Sequence, residues 1–116
     1  MLNCHCRDCQ RSSGGPFSSL VVVSTEAFKL LKGSPRVHAT PSEMGGMTHR
    51  GFCPDCGSPI NVQPQAATHI VAIRTASLDD PSWFHPQLEV WTSDAHPWDK
   101  MNPGLPRFEK YPPPGR

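Results

Sequence analysis

The chain has no long apolar run. Stretches such as Leu20-Val21-Val22-Val23 are far short of the roughly 20 residues needed to cross a bilayer as a helix. It also has no block of one charge. Eleven Lys and Arg face ten Asp and Glu, for a net charge of +1 with His neutral, and the basic residues are scattered. That leaves no stripe for a phosphate backbone or an anionic membrane. Met1-Leu2-Asn3-Cys4 shows neither the charged start nor the apolar core of a secretory signal, so a reducing cytoplasm is the expected setting. Hydrophobic residues make up only 36% of the chain, which implies a thin core.

Proline, glycine and cysteine are what the chain has instead. Fourteen prolines and nine glycines cut 116 residues into short pieces within a length that suits one domain. A small, loop-rich domain of this kind commonly needs a metal or disulfide staple. Five cysteines are an odd number, so a full set of internal disulfides is excluded. In a reducing compartment, clustered cysteines point to metal binding or catalysis.

The pattern of short segments between turn residues predicts a mostly β fold of short antiparallel strands. Strands are expected at Ser18 to Ser24 and at Phe28 to Leu31, the latter turning at Lys32-Gly33-Ser34-Pro35 to pair with Arg36 to Thr40. Ser42 to Gly46 reads as a loop. Met47 to Phe52 enters Cys53-Pro54-Asp55-Cys56-Gly57, and Pro59 to Gln63 leaves it. His69 to Thr75 suits a strand covered on both faces, since Ile70-Val71-Ala72-Ile73 form a continuous apolar run. Leu88 to Thr92 follows, with Glu89 and Trp91 on one face. Leu78 to Pro81 reads as a turn or one short helical turn. The domain is expected over residues 1–100, with a proline-rich tail over 101–116.

Cys4-His5-Cys6-Arg7-Asp8-Cys9 supplies three thiols in the spacing C-x-C-x-x-C. Zinc takes thiolate and imidazole ligands tetrahedrally, at about 2.3 Å from sulfur. A C-x-x-C knuckle aims two sulfurs at one ion, and the C-x-C arm brings a third. Three protein ligands with one position left over is the plan of a catalytic zinc; four is the structural plan. Cys53 and Cys56 form a second knuckle, with Gly57 relaxing its turn. The two clusters therefore allow either an open site at Cys4, Cys6 and Cys9, or one closed ion that takes two thiols from each. His5, between two ligands, is expected to point outward.

At these residues the chain resembles the glutathione-dependent formaldehyde-activating enzymes and their relatives, which include centromere protein V. Asn3 to Gly14 is similar to that family's C-H-C-x-x-C segment with its following Arg-x-Ser-Gly. Phe28-Lys29-Leu30-Leu31-Lys32-Gly33 is similar to its F-x-L-x-x-G, and Arg50 to Ile60 to its R-x-F-C-x-x-C-G-S segment. Ala76 to Pro81 and His96-Pro97-Trp98 complete an ordered set running from Asn3 to about Trp98.

The resemblance implies a β-tent fold with two zinc sites. Cys4, Cys6 and Cys9 would hold an ion associated with activity. Cys53 and Cys56 would share a structural ion with an earlier C-x-C, which has no counterpart here; His49 is a conceivable substitute. An incomplete start is the expectation, since a missing strand would expose a sheet edge.

The implied function is that of a zinc-dependent carbon–sulfur lyase-type enzyme whose partners are a small thiol such as glutathione and an aldehyde. Arg7 and Arg11 are candidates to anchor a substrate carboxylate, and Ser13 to offer a hydroxyl nearby. Phe17 and Trp98 are candidate walls. The alternatives are a zinc-stabilised binding module without catalysis, or a truncated family member. Neither nucleic acid nor membrane is expected as a partner.

Overall fold

The computed structural model describes residues 1–112 and has seven strands, one α-helix and three single 3-10 turns. It is mostly β, as the sequence pattern predicts. The chain divides into two units, one built from Met1–Leu20 together with the segment from Ser82 onward, the other from Val21–Pro81.

In the first unit, β1 (Leu2–Cys4) is the central strand. It pairs antiparallel with the start of β2 (Ser18–Ser24), matching Leu2 to Leu20, Asn3 to Ser19 and Cys4 to Ser18. On its other side it pairs parallel with β7 (Leu88–Val90), matching Leu2 to Leu88, Asn3 to Glu89 and Cys4 to Val90. Because side chains alternate along a strand, Leu20, Cys4 and Val90 fall on one face and Ser19, Asn3 and Glu89 on the other. Both faces are covered, for Cys4, Leu20 and Val90 are buried on one side and Asn3 and Glu89 on the other.

Between β1 and β2 the chain forms α1 (Arg7–Ser13). The sequence R-D-C-Q-R-S-S carries no apolar stripe to announce a helix. It starts at the cap residue Cys6 and stops at Gly14, whose φ of 75° directs its N–H back to the carbonyl of Gln10. Such a left-handed stop suits glycine, which has no Cβ to clash.

The outer edge of β7 is occupied as well. Glu89 N donates to Pro106 O and Phe108 N to Glu89 O, each at 2.9 Å, and Trp91 N donates to Lys110 O at 3.0 Å. Residues 106–110 of the expected tail thus run hydrogen-bonded beside β7, and residues 113–116 lie outside the described ones. Trp91, directly after β7, takes φ 58°, a conformation that ends the strand two residues before the expected Thr92.

The second unit is an antiparallel meander of β3 (Arg36–Pro41), β4 (Met47–Phe52), β5 (Pro59–Pro64) and β6 (Ile70–Arg74). The remainder of β2 lies beside β6. Val62, Val71 and Ala72 are buried in it. Two expectations fail here. Phe28 to Leu31 is not a strand, and Arg36–Pro41 pairs with β4 instead. Phe28 follows a 3-10 turn, and Leu30 and Leu31 are exposed, so these apolar side chains have no facing strand to pack on.

Candidate metal centre and adjoining cleft

The three early thiols come together because three local conformations follow one another. Cys4 ends β1. Cys6 is still extended, with φ −62° and ψ 154°, so residues 4 and 6 project to the same side of the chain. Cys9 then returns on the first turn of α1, where its amide donates to Cys6 Sγ at 3.3 Å. The three Sγ atoms lie within 4.8 Å of one another. Cys4 and Cys9 are buried and Cys6 is half-buried.

This crowding sets the acidity of the thiols. Cys4 is held well above the ordinary thiol range, first by its hydrogen bonds with Cys6 and Cys9 and then by burial. For Cys6 the bond with Cys4 pulls the thiol down, but the bond with Cys9 and burial outweigh it and the net direction is up. Three sulfurs this close cannot all ionise against one another, whereas a divalent cation among them makes the thiolate form the favoured one. The donor set fits a metal ion.

Cys53 and Cys56 stand in the second unit, on the turn between β4 and β5. Gly57 N donates to Cys53 O at 2.8 Å and Cys53 N to Ser58 O at 2.9 Å, and Gly57 takes φ 78°. The turn is a knuckle of the expected shape, with Cys56 exposed and Cys53 half-buried. The Cys56 thiol is lowered, chiefly by the Ser58 hydroxyl 3.1 Å from its sulfur. This pair could hold a metal ion in part. Among the described residues the convergent group of three donors is Cys4, Cys6 and Cys9, and His49 does not join Cys53 and Cys56 in one; it lies exposed on β4.

His5 does not point outward. It is 0% exposed, with Nδ1 2.5 Å from Asp99 Oδ2 and Nε2 3.1 Å from Glu89 Oε1. Asn3 Nδ2 donates to the same Glu89 oxygen at 3.4 Å, while Asn3 Oδ1 accepts from Ser19 Oγ at 2.8 Å. Nothing in the local sequence signals this, because the partners lie 84 and 94 positions away. A glutamate between leucine and valine reads as the solvent face of a strand, and Asp99 sits in a loop with no pattern of its own.

Arg7 and Arg11 line an open cleft of about 270 Å³ with Gln10, His96 and Trp98. At 100° per helical residue, Arg7, Gln10 and Arg11 share one flank of α1, and Cys9 projects about 160° away from both arginines. Gln10 is the buried hub of the cleft. Its Oε1 accepts from the Arg7 guanidinium and contacts His96 Nε2 at 2.8 Å, while its Nε2 donates to the carbonyls of His5 at 2.7 Å and Asp94 at 3.1 Å. The His96 ring stacks on Trp98, with centroids 5.0 Å apart and planes 7° from parallel.

Arg11 is exposed and lies 3.5 Å from Asp8. Ser13 Oγ is 3.0 Å from Phe17 O and accepts from Gly15 N at 3.2 Å, which ties down the turn after α1. The Phe17 ring packs on His5, with centroids 5.2 Å apart. Gln10 and His96 both occur in the motif segments, but neither carries a signal of its own that marks it as a site residue.

No helix among the described residues is long and apolar enough to cross a membrane. A family model described as glutathione-dependent formaldehyde-activating enzyme matches residues 1–94, a span that takes in the three-thiol cluster, the Cys53–Cys56 knuckle and Glu89, and the chain belongs to that family.

Proposed function

We propose that this chain is a zinc-dependent enzyme of the carbon–sulfur lyase type, acting on the adduct of a thiol such as glutathione with an aldehyde such as formaldehyde. The observation that carries the reading is the convergence of the Cys4, Cys6 and Cys9 sulfurs within 4.8 Å, in a chain of this family. These three residues would hold the ion, and a tetrahedral ion with three protein ligands keeps one position for substrate. When bound, zinc supplies a positive centre that favours thiolate near neutral pH and polarises a carbonyl oxygen.

The reaction needs little else in atoms. The thiol gives up its proton, its sulfur forms a bond to the carbonyl carbon, and the carbonyl oxygen takes a proton. The lyase direction breaks that carbon–sulfur bond and reverses both transfers. Burial of Cys4 and Cys9 keeps water from two of the sulfurs, and half-exposed Cys6 stands on the approachable side.

Arg7 and Arg11 would anchor a substrate carboxylate through their planar donor forks. Arg7 is preset for this by Gln10. Both arginines project about 160° away from Cys9 around α1, so the carboxylate end they would anchor lies on the flank of the helix away from that ligand. Ser13 contributes by fixing the Gly14–Gly15 rim of the cleft that the arginines line.

Cys53 and Cys56 would give two thiolates to a second, structural zinc. Five thiols without a disulfide suit a reducing compartment such as the cytoplasm.

The test is to reconstitute the purified chain with zinc, add glutathione and formaldehyde, and follow adduct formation by NMR. A rate above the spontaneous one is expected, with Arg7→Gln raising KM. A rate equal to the background removes the enzyme reading for this substrate pair and favours a zinc-stabilised binding module.

A further inference from the structure

We infer that His5, Glu89 and Asp99 form a positioning clasp for the C-x-C arm: two buried carboxylates grip the imidazole so that Cys4 and Cys6 present their sulfurs together on the opposite side of the chain. The inference rests on the reading of Cys4, Cys6 and Cys9 as a metal centre. It adds residues outside the thiol set, one of which, Asp99, lies beyond the span that matches the family.

Cys4 ends β1 and Cys6 is extended, so alternation along the chain puts the His5 ring on one side and both sulfurs on the other. Any rotation of the chain at His5 therefore moves two sulfurs at once. The residue is held at every polar point. Its amide donates to Val90 O at 3.0 Å, its carbonyl accepts from Gln10 Nε2 at 2.7 Å, and its two ring nitrogens meet Asp99 and Glu89. Strand β7, helix α1 and the loop at residue 99 all contribute to that grip. Glu89 is braced in turn by Asn3 and Asn3 by Ser19, a polar row across three paired strands.

The ring is not a ligand in this arrangement. A metal-binding imidazole must leave one nitrogen free for the ion, and here both face carboxylates. Nor is the clasp an economical way to fill space. Both carboxylate side chains are 2% exposed, and burying charged groups carries a desolvation cost that a well-packed apolar side chain avoids. What a doubly hydrogen-bonded ring supplies and an apolar one does not is a fixed orientation. Hydrogen-bonded groups around metal ligands typically change metal affinity 10- to 100-fold when they are lost.

The experiment uses cobalt(II) as probe on the chelator-washed full chain and three variants, Asp99→Asn, Glu89→Gln and His5→Gln. Affinity is read by competition with a chelator, geometry by the ligand-field bands of cobalt, and folding by thermal denaturation of the metal-free proteins. Folded Asp99→Asn and Glu89→Gln should bind cobalt about 10- to 100-fold more weakly, with altered band positions. Should His5→Gln fail to fold, the two near-isosteric variants decide. Variants that bind with the parent's affinity and spectrum overturn the inference, even where their thermal stability drops, since that pattern is a purely structural role. A parent chain that takes up no cobalt defeats the metal-centre reading and this inference together, whereas a parent that binds alongside matching variants defeats the inference alone.

Discussion

The amide of Cys9 donates to the sulfur of Cys6 over 3.3 Å, so the side chain that starts α1 is also one of the three clustered sulfurs. Capping and metal binding can be separated by substitution. Serine is a strong cap and a poor ligand for a thiophilic ion, while alanine is neither. In chelator, Cys6→Ala should be less stable than Cys6→Ser by about 1 kcal/mol, as read by urea denaturation. Both should lose most of the parent's metal affinity.

Acidity gives a second prediction. In the metal-free protein Cys4 and Cys6 are raised, so the folded state holds these protons more tightly than the unfolded chain does. Their effect on stability is therefore favourable below the ordinary thiol pKa of about 8.5, and is lost as pH rises toward the raised values. Metal uptake must expel the same protons, so affinity runs the other way and climbs with pH. Denaturation midpoints in chelator from pH 7 to 10 should fall, and zinc competition over pH 6 to 8 should show tightening.

Gly14 sits at φ 75° with nothing within 4 Å of the place a Cβ would occupy. Its replacement by alanine meets no clash, only the conformational penalty of about 1–2 kcal/mol for a left-handed L-residue. Gly14→Ala should lower the thermal midpoint accordingly, and Gly14→Asn, better suited to that conformation, should lower it less.

Gly51 on β4 faces the opposite limit. A Cβ there would overlap Asn61 Oδ1 on the paired position of β5 and lie 3.3 Å from Asn61 Cγ. Gly51→Ala should cost about 1–3 kcal/mol as overpacking. In a double-mutant cycle with Asn61→Ala, the combined loss should fall short of the sum of the two. Additive losses would mean that Asn61 swings aside freely.

Much of the sheet was legible because strand signals are local. Ser18–Ser24 carries its β-branched run and ends where expected, and the turn residues around Ser42 to Gly46 and Cys53 to Ser58 mark real reversals. The spacing of Cys4, Cys6 and Cys9 likewise announced a cluster. What escaped depends on distant partners. Phe28 to Leu31 has the composition of a strand but no neighbour to bond with. α1 is seven residues long, too short to show a period, and is held by its caps. His5 was assigned to the surface because the two carboxylates that bury it lie at the far end of the chain.

That last separation bears on how the protein is made. Ribosomes add about 5–20 residues per second, and 94 positions divide His5 from Asp99. Roughly 5–20 s therefore separate synthesis of the three thiols from synthesis of the loop that carries Asp99, and the thiols leave the exit tunnel before that loop does. During that interval they are open to oxidants and to stray metal ions. Expression under reducing conditions with zinc supplied during translation should accordingly improve yield more than zinc added after purification.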